Sequence, residues 1–192
     1  MTVIGLVRHG ITDWNVQWRA QGHTDIPLNE TGKRQAELLA KRISGEEWDF
    51  VYSSDLSRAL ETARKAAETK GLDVTTDVRL REVFLGEIEG TTEEERVSKW
   101  GPRWKELELG EESRDAVGER GLQALGEYAG KHPGKRILVV SHGGWIISTL
   151  KKLVPQLDTA AILRNTSVTL VRLAEDGRWE CDLYNCTRHL DE

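Results

Sequence analysis

Two unbroken apolar runs constrain this chain more tightly than anything else in it: Val3–Val7 leads straight into Arg8-His9-Gly10, and Ile137–Val140 leads straight into Ser141-His142-Gly143-Gly144. Neither run alternates apolar with polar residues. A strand buried on one face alternates, whereas a continuous run fits a parallel strand covered on both faces. Helical patterns lie between such runs. Asn29-Glu30-Thr31-Gly32 opens one in which Ala36, Leu39, Ala40 and Ile43 recur at i, i+3, i+4 and i+7, with Gly45 as its stop. Trp48–Tyr52 reads as a second strand. Leu56, Ala59, Leu60, Ala63, Ala66 and Ala67 mark another helix, closed near Gly71, and Val74 begins a short strand. Further helices are predicted from about Glu112 to Lys131 and over Trp145–Leu153, with Thr166–Val171 and Trp179–Tyr184 as closing strands. Alternating strand and helix predicts an α/β fold of three layers, α/β/α, around a mostly parallel central sheet. Thr91–Gly110 departs from this rhythm. Thr92 with Glu95 resembles a capping box and Pro102 interrupts the helix that follows, so a small helical cap insertion is expected over one end of the sheet, at about residues 91–112. No repeat or linker divides the chain, and a single domain over residues 1–192 is expected.

Composition narrows the function classes. With a formal net charge of −5 over 192 residues, the chain lacks the basic face that binding to nucleic acid or an anionic membrane requires. A small anion site needs only two or three local cations and is not excluded. Cys181 and Cys186 are the only cysteines, which argues against a disulfide framework and offers no zinc spacing. The first apolar run is too short for a signal peptide's core or a membrane span, so a cytoplasmic location is expected.

The chemistry follows from where the histidines fall. His9 and His142 each sit at the carboxyl end of a predicted parallel strand, the edge where open α/β sheets bind ligands. Gly10 and Gly143 let a ligand approach the backbone closely. The Trp48–Tyr52 strand repeats the geometry, leading through Ser53-Ser54-Asp55 to Arg58 in the first turn of a helix, where free N–H groups favour anions. Two imidazoles and two guanidiniums on one sheet edge suit a compact, multiply charged anion, and phosphate fits. An imidazole nitrogen can also attack phosphorus, giving a covalent phosphohistidine. For that His9 must be neutral at the attacking nitrogen, with its other nitrogen donating to a backbone carbonyl or similar acceptor. No metal cluster is needed and no cofactor is expected.

Arg8-His9-Gly10, with Thr12, Trp14 and Asn15 following, resembles the signature of the histidine phosphatase superfamily, branch 1, the phosphoglycerate mutase-like branch that includes broad-specificity phosphatases. Ser54-Asp55-Leu56-x-Arg58-Ala59-x-x-Thr62-Ala63 is similar to its second motif, Leu80-x-Glu82 continuing to Gly86-x-x-Glu89-Gly90 to its third, and Ser141-His142-Gly143-Gly144 to its fourth. Asn165-Thr166-Ser167 matches a late strand of that branch, so the likeness runs in order from Val3 to about Val171. The resemblance implies that His9 is the phosphorylated nucleophile, that Arg8, Arg58 and His142 hold the phosphoryl oxygens, and that Glu82 protonates the leaving oxygen and later deprotonates the attacking water. Asn15, and Gln21 with Gly22, would add contacts to phosphate or substrate. Ile11 stands where the family often has Glu, and Ile88 where an aromatic is common.

The function expected is metal-independent hydrolysis of small phosphomonoesters, with inorganic phosphate as product. The alternatives are a cofactor-dependent phosphoglycerate mutase, a dedicated phosphatase such as α-ribazole phosphatase, or a non-catalytic phospho-ligand binder. Arg103, Lys105 and Arg114 stand among many glutamates in the short interval before His142, which reads as an apolar and acidic cap, poor at gripping a sugar acid. Trp100 and Trp104 read either as core or as the lining of an apolar entrance. His23, His132 and His189, beside turn signals or near the terminus, read as surface residues.

Overall fold

Both apolar runs become central strands, side by side and parallel, in the computed structural model, which describes residues 1–191. Along the chain the elements are β1 (Thr2–Arg8), α1 (Asp13–Val16), α2 (Glu30–Ser44), β2 (Phe50–Ser53), α3 (Ser57–Glu68) and β3 (Val74–Thr76). They continue with α4 (Glu93–Trp100), α5 (Arg114–Lys131), β4 (Arg136–Ser141), α6 (Gly143–Leu153), β5 (Val168–Leu173) and β6 (Trp179–Cys186). The strands form one sheet in the order β3-β2-β4-β1-β5-β6. Pairings among β1 to β4 are parallel, while β5 runs antiparallel to both β1 and β6. The antiparallel end has a simple cause. A long loop, not a crossover helix, carries the chain from α6 into β5, and a turn at Gly177 (φ 83°) folds β6 back on it.

The three expected layers are present. Leu39, Ile43, Ala59 and Ala63 of α2 and α3 pack on Val7, Leu138 and Val140. On the opposite face Val117, Leu125, Ile146 and Leu150 of α5 and α6 pack on Ile4, Leu6, Ile137 and Val139. Successive residues of β4 therefore enter opposite cores, and all of Ile137–Val140 are 0% exposed. The unbroken run is the signature of that double burial. Chain reversal does the rest: β1 feeds α2 on one face and β4 feeds α6 on the other, so a crevice opens between their carboxyl ends.

The capping box at Thr92 and Glu95 opens α4, which ends at Gly101 (φ 86°) just before Pro102. Beneath it Ile88, Trp104 and Leu109 form a small separate cluster, so Ile88 fills with packing a position where the resembled family commonly has an aromatic. The loop expected after β1 contains α1, a four-residue helix capped reciprocally by Thr12 and Asn15.

The three histidines read as surface residues are not. His189 is 4% exposed, its Nδ1 facing Arg42 Nη1 at 3.5 Å and its Nε2 facing Thr166 Oγ1 at 3.2 Å. Burial and the Arg42 charge pull its pKa down to about 4. His132 stacks on Phe50 at 3.7 Å and meets the Tyr52 hydroxyl at 2.9 Å. His23, half-buried, hydrogen-bonds the Glu82 carbonyl at 2.8 Å. Each has a partner for a ring nitrogen, and His23 and His132 also meet an aromatic ring, none of which adjacent turn residues reveal.

Helices α5 and α6 approach so closely that a Cβ on Gly121 would overlap the Thr149 side chain. At Gly126 and Gly130 of the same helix a Cβ would meet nothing within 4 Å. Urea unfolding should therefore show opposite signs within one helix. Gly121→Ala should lose about 1–3 kcal/mol through overpacking, and Gly126→Ala or Gly130→Ala should each gain roughly 0.5–1 kcal/mol. A neutral Gly121→Ala would show that the helix contact is looser than described.

Candidate active site

Register brings the two imidazoles together. Arg8 pairs with Ser141 across β1 and β4, so the next residues, His9 and His142, emerge side by side with ring centroids 5.2 Å apart. His9 is 3% exposed and His142 0%. The first-motif loop is locked from both sides. Thr166 N–H donates to the Arg8 and His9 carbonyls at 2.9 and 3.3 Å, and Asn165 Nδ2 donates to His9 O at 3.0 Å. Gly10 N–H donates to Thr62 Oγ1, and a Cβ on Gly10 would come within 2.6 Å of the Gly32 carbonyl, so only glycine lets the loop lie on the first turn of α2.

Hydrogen bonds fix both tautomers. His9 Nδ1 lies 2.6 Å from the carbonyl of Gly10, which can only accept, so Nδ1 carries the proton and Nε2 is the basic nitrogen. His142 Nε2 lies 2.9 Å from Ser54 Oγ, which already accepts the Leu56 N–H at 3.3 Å. Among the described residues the Ser54 hydroxyl has no other acceptor, so its proton goes to Nε2, leaving the His142 proton on Nδ1. Burial holds both imidazoles well below the ordinary histidine pKa, and the charges of Arg58 and Arg8 push the same way. Both rings are neutral at physiological pH.

Arg58, in the first turn of α3, is 0% exposed, with Nη1 and Nη2 donating to the carbonyls of Thr24 and Gly22 at 2.9 and 2.8 Å. Burial pushes its pKa down to about 10, against the raising effect of Glu82, Asp25 and Glu89, so it stays charged. Arg8 donates through Nη1 to the Leu163 carbonyl, and desolvation lowers its pKa as well. Among the described residues neither arginine makes an ion pair. Among the described residues four buried polar side-chain atoms lack a hydrogen-bond partner, and three of them are Arg8 Nε, Arg58 Nε and His142 Nδ1; the fourth is Ser167 Oγ. Buried donors are nearly always satisfied. Three orphan N–H groups on three residues around His9 form a donor set for an oxyanion.

Glu82 reaches the start of α6, its Oε2 accepting from Gly144 N–H at 3.0 Å and its Oε1 from Trp145 N–H at 2.8 Å and Val83 N–H at 2.9 Å. Its backbone is held by Arg120, which donates to the carbonyls of Arg79, Arg81 and Glu82, and by the bidentate Arg81–Asp55 pair. Arg8 lies against the same helix start, its Nε 3.4 Å from where a Cβ on Gly143 would sit, an ordinary contact that does not itself require glycine. Asn15 lines the adjoining cleft, of about 1140 Å³, and its Oδ1 accepts from Thr12 N–H at 3.0 Å. Gln21 is buried with its Oε1 on the Thr12 hydroxyl at 2.9 Å, and no hydrogen bond joins it to the arginines or imidazoles. Gly22 serves through its carbonyl, which holds Arg58.

Sequence reasoning passed over Glu89 and Ser54 as individuals. Glu89 accepts from the backbone N–H groups of His23, Thr24 and Leu85 and from the Thr24 hydroxyl, fastening the loop whose carbonyls grip Arg58. Gly22 (φ 52°) is required there, because a side chain would overlap the Glu89 carboxylate. The signal was its place in the Gly86-x-x-Glu89-Gly90 motif. Trp104 combines both of its expected roles, 6% exposed in the small cluster and lining the cleft. The cap is less acidic than its composition: Lys105 and Arg114 line the cleft, whereas Arg103 lies outside it. Among the described residues no group of three or more His, Cys, Asp or Glu is placed to hold a metal ion.

Nitrogen-15 NMR should find both His9 and His142 as neutral Nδ1–H tautomers at neutral pH, with midpoints well below the ordinary histidine value. Ser54→Ala should release His142 into a tautomer mixture without moving His9. A midpoint near the ordinary histidine value for either ring would contradict this burial and charge.

Residues 4–187 match the family model described as histidine phosphatase superfamily (branch 1). Phosphoglycerate mutase-like protein 4 of Arabidopsis thaliana is 39% identical, covering 98% of this chain and 87% of its own length. The metal-independent phosphoserine phosphatase of the same plant is 37% identical over 99% of this chain and 84% of its own length. The solved structure of YhfR from Bacillus stearothermophilus superposes with a TM-score of 0.90 at 29% identity, covering 99% of this chain and 100% of that one. Matched by the family model over nearly its whole length, the chain belongs to branch 1 of the histidine phosphatase superfamily.

Proposed function

We propose that this phosphomonoester hydrolase works through a phosphohistidine on His9, within one catalytic unit whose helical segment at about 91–112 caps the cleft. The observation that carries the reading is the orphan set: Arg8 Nε, Arg58 Nε and His142 Nδ1, three buried donors beside a neutral imidazole whose Nε2 is basic. Such a set is matched to three equatorial oxygens, where charge gathers in phosphoryl transfer.

His9 Nε2 attacks phosphorus, the P–N bond forms, and the bond to the ester oxygen breaks. Glu82 gives its proton to that oxygen and the alcohol leaves. Water then attacks the phosphoryl group, Glu82 takes its proton, the P–N bond breaks, and inorganic phosphate departs with His9 neutral again. Throughout, Arg8, Arg58 and Nδ1–H of His142 hold the oxygens, and the Gly10 carbonyl steadies the imidazole. Asn15 at the cleft wall contacts the substrate, Gln21 and Gly22 hold the groups that do, and Gly143 lies beside Arg8. The relatives carry mutase-like and phosphatase names alike, and small phosphomonoesters are the substrates this pocket suits. Two unpaired cysteines fit a cytoplasmic setting.

Purified protein should release phosphate from p-nitrophenyl phosphate and from 3-phosphoglycerate. His9→Ala should lower kcat by at least about 10⁴-fold and Glu82→Gln by roughly 10²–10⁴-fold, with phosphate binding to His9→Ala still measurable. Rapid isomerisation of 3-phosphoglycerate with negligible phosphate release would replace hydrolase with mutase, and unchanged turnover in His9→Ala would end the phosphohistidine mechanism.

A further inference from the structure

Thr166 is held in a conformation that a β-branched residue rarely adopts. Its φ is 54°, in the left-handed region, and it is 0% exposed. A residue stays in such a conformation only when its surroundings fix it, and strain of this kind gathers where backbone must be placed accurately. Here the placed groups are the carbonyls of Arg8 and His9, both of which accept from the Thr166 N–H.

The Thr166 side chain is fixed from a part of the chain that the motifs do not include. His189, in a 3₁₀ turn over Arg188–Leu190, brings its Nε2 to 3.2 Å from Thr166 Oγ1. Proton counting sets the direction of that contact. The Thr166 hydroxyl donates to the Asn165 carbonyl at 2.8 Å, so towards His189 it accepts, and Nε2 carries the ring proton. Nδ1 is then an acceptor, and it faces Arg42 Nη1, which can only donate, at 3.5 Å. Arg42 is itself buried and is anchored by Glu46 one turn along α2, at 2.9 Å. Arg188 and Asp191, on the turn of His189 itself, are the other charged groups that face the ring. A second cation against Arg42 is disfavoured, so His189 stays neutral with a single donor of fixed direction. Donors thus run one way from α2 to the first-motif loop: Arg42 to His189, His189 to Thr166, Thr166 to Asn165, and Asn165 Nδ2 to the His9 carbonyl.

We infer that His189 is a positioning residue for the nucleophile, its Nε2–H fixing the strained Thr166 so that the Arg8–His9 backbone stays aligned beside His142. This rests on the role proposed above for His9. Attack on phosphorus depends steeply on alignment, whereas attraction between phosphate and the arginines falls off slowly with distance, so the effect belongs in kcat.

His189→Phe keeps a ring and loses the donor, while His189→Gln keeps an amide N–H within similar reach. With p-nitrophenyl phosphate, kcat should fall about three- to thirtyfold in His189→Phe, with inhibition by inorganic phosphate changed by less than about twofold, and His189→Gln should recover most of the loss. Thr166→Val removes the acceptor and should cost about as much, and the double variant no more than either alone. In nitrogen-15 NMR of the resting protein, the His9 ring signals should shift or broaden in His189→Phe and return in His189→Gln. Unchanged kcat in folded His189→Phe, equal losses in the Phe and Gln variants, or additive losses in the double variant would overturn the assignment and leave His189 as packing against α2. If the parent protein released no phosphate, the hydrolase reading would fail, and the His9 spectra of the same variants would still decide for or against His189.

Discussion

The guanidiniums of Arg8 and Arg58 are drawn out of water beside two imidazoles, and among the described residues no carboxylate pairs with either. Burying a cation without a counter-charge is among the costlier acts a fold can perform. Here carbonyl groups take the outer nitrogens, Leu163 for Arg8 and Gly22 with Thr24 for Arg58, while each Nε faces inward unmet. The imidazoles respond by shedding their own charge, since a protonated ring between two arginines would add a third like charge. Neutral imidazoles and a positive cradle are thus one electrostatic arrangement, suited to a compact anion.

Holding that arrangement takes a second set of contacts. Glu89 ties down the loop whose carbonyls hold Arg58, Thr166 and Asn165 hold the backbone of Arg8 and His9, and Arg120 with the Asp55–Arg81 pair fixes the approach to Glu82. None of these side chains needs to touch phosphate. Their common action is on backbone, which explains why the motifs are longer than the chemistry alone would require.

The parallel core was legible because burial on both faces writes itself into Val3–Val7 and Ile137–Val140 as an absence of polar residues. The location of His9, His142 and Arg58 then followed from strand ends. The four-residue helix at Asp13 was missed because it is too short for any period to show, and its cue was the Thr12–Asn15 pair. Strand ends cannot announce direction, so the antiparallel entry of β5 was also hidden. Histidines 23, 132 and 189 were misjudged for a related reason: their burial comes from distant Phe84, Phe50 and Thr166, which no local pattern connects to them. Arg114 was counted as one charge in a glutamate-rich interval, and only the packing of α5 against α6 brings it beside Glu82.

The strand that leads into His9 pairs with β4 and β5, both more than a hundred residues later in the chain. At ribosomal rates of about 5–20 residues per second, that separation leaves an apolar segment without its sheet partners for on the order of ten seconds. Throughout that interval its unpaired backbone is a template for any other nascent strand. Yield in a heterologous host should accordingly depend on holding chaperones and growth temperature more than on the thermodynamic stability of the finished molecule.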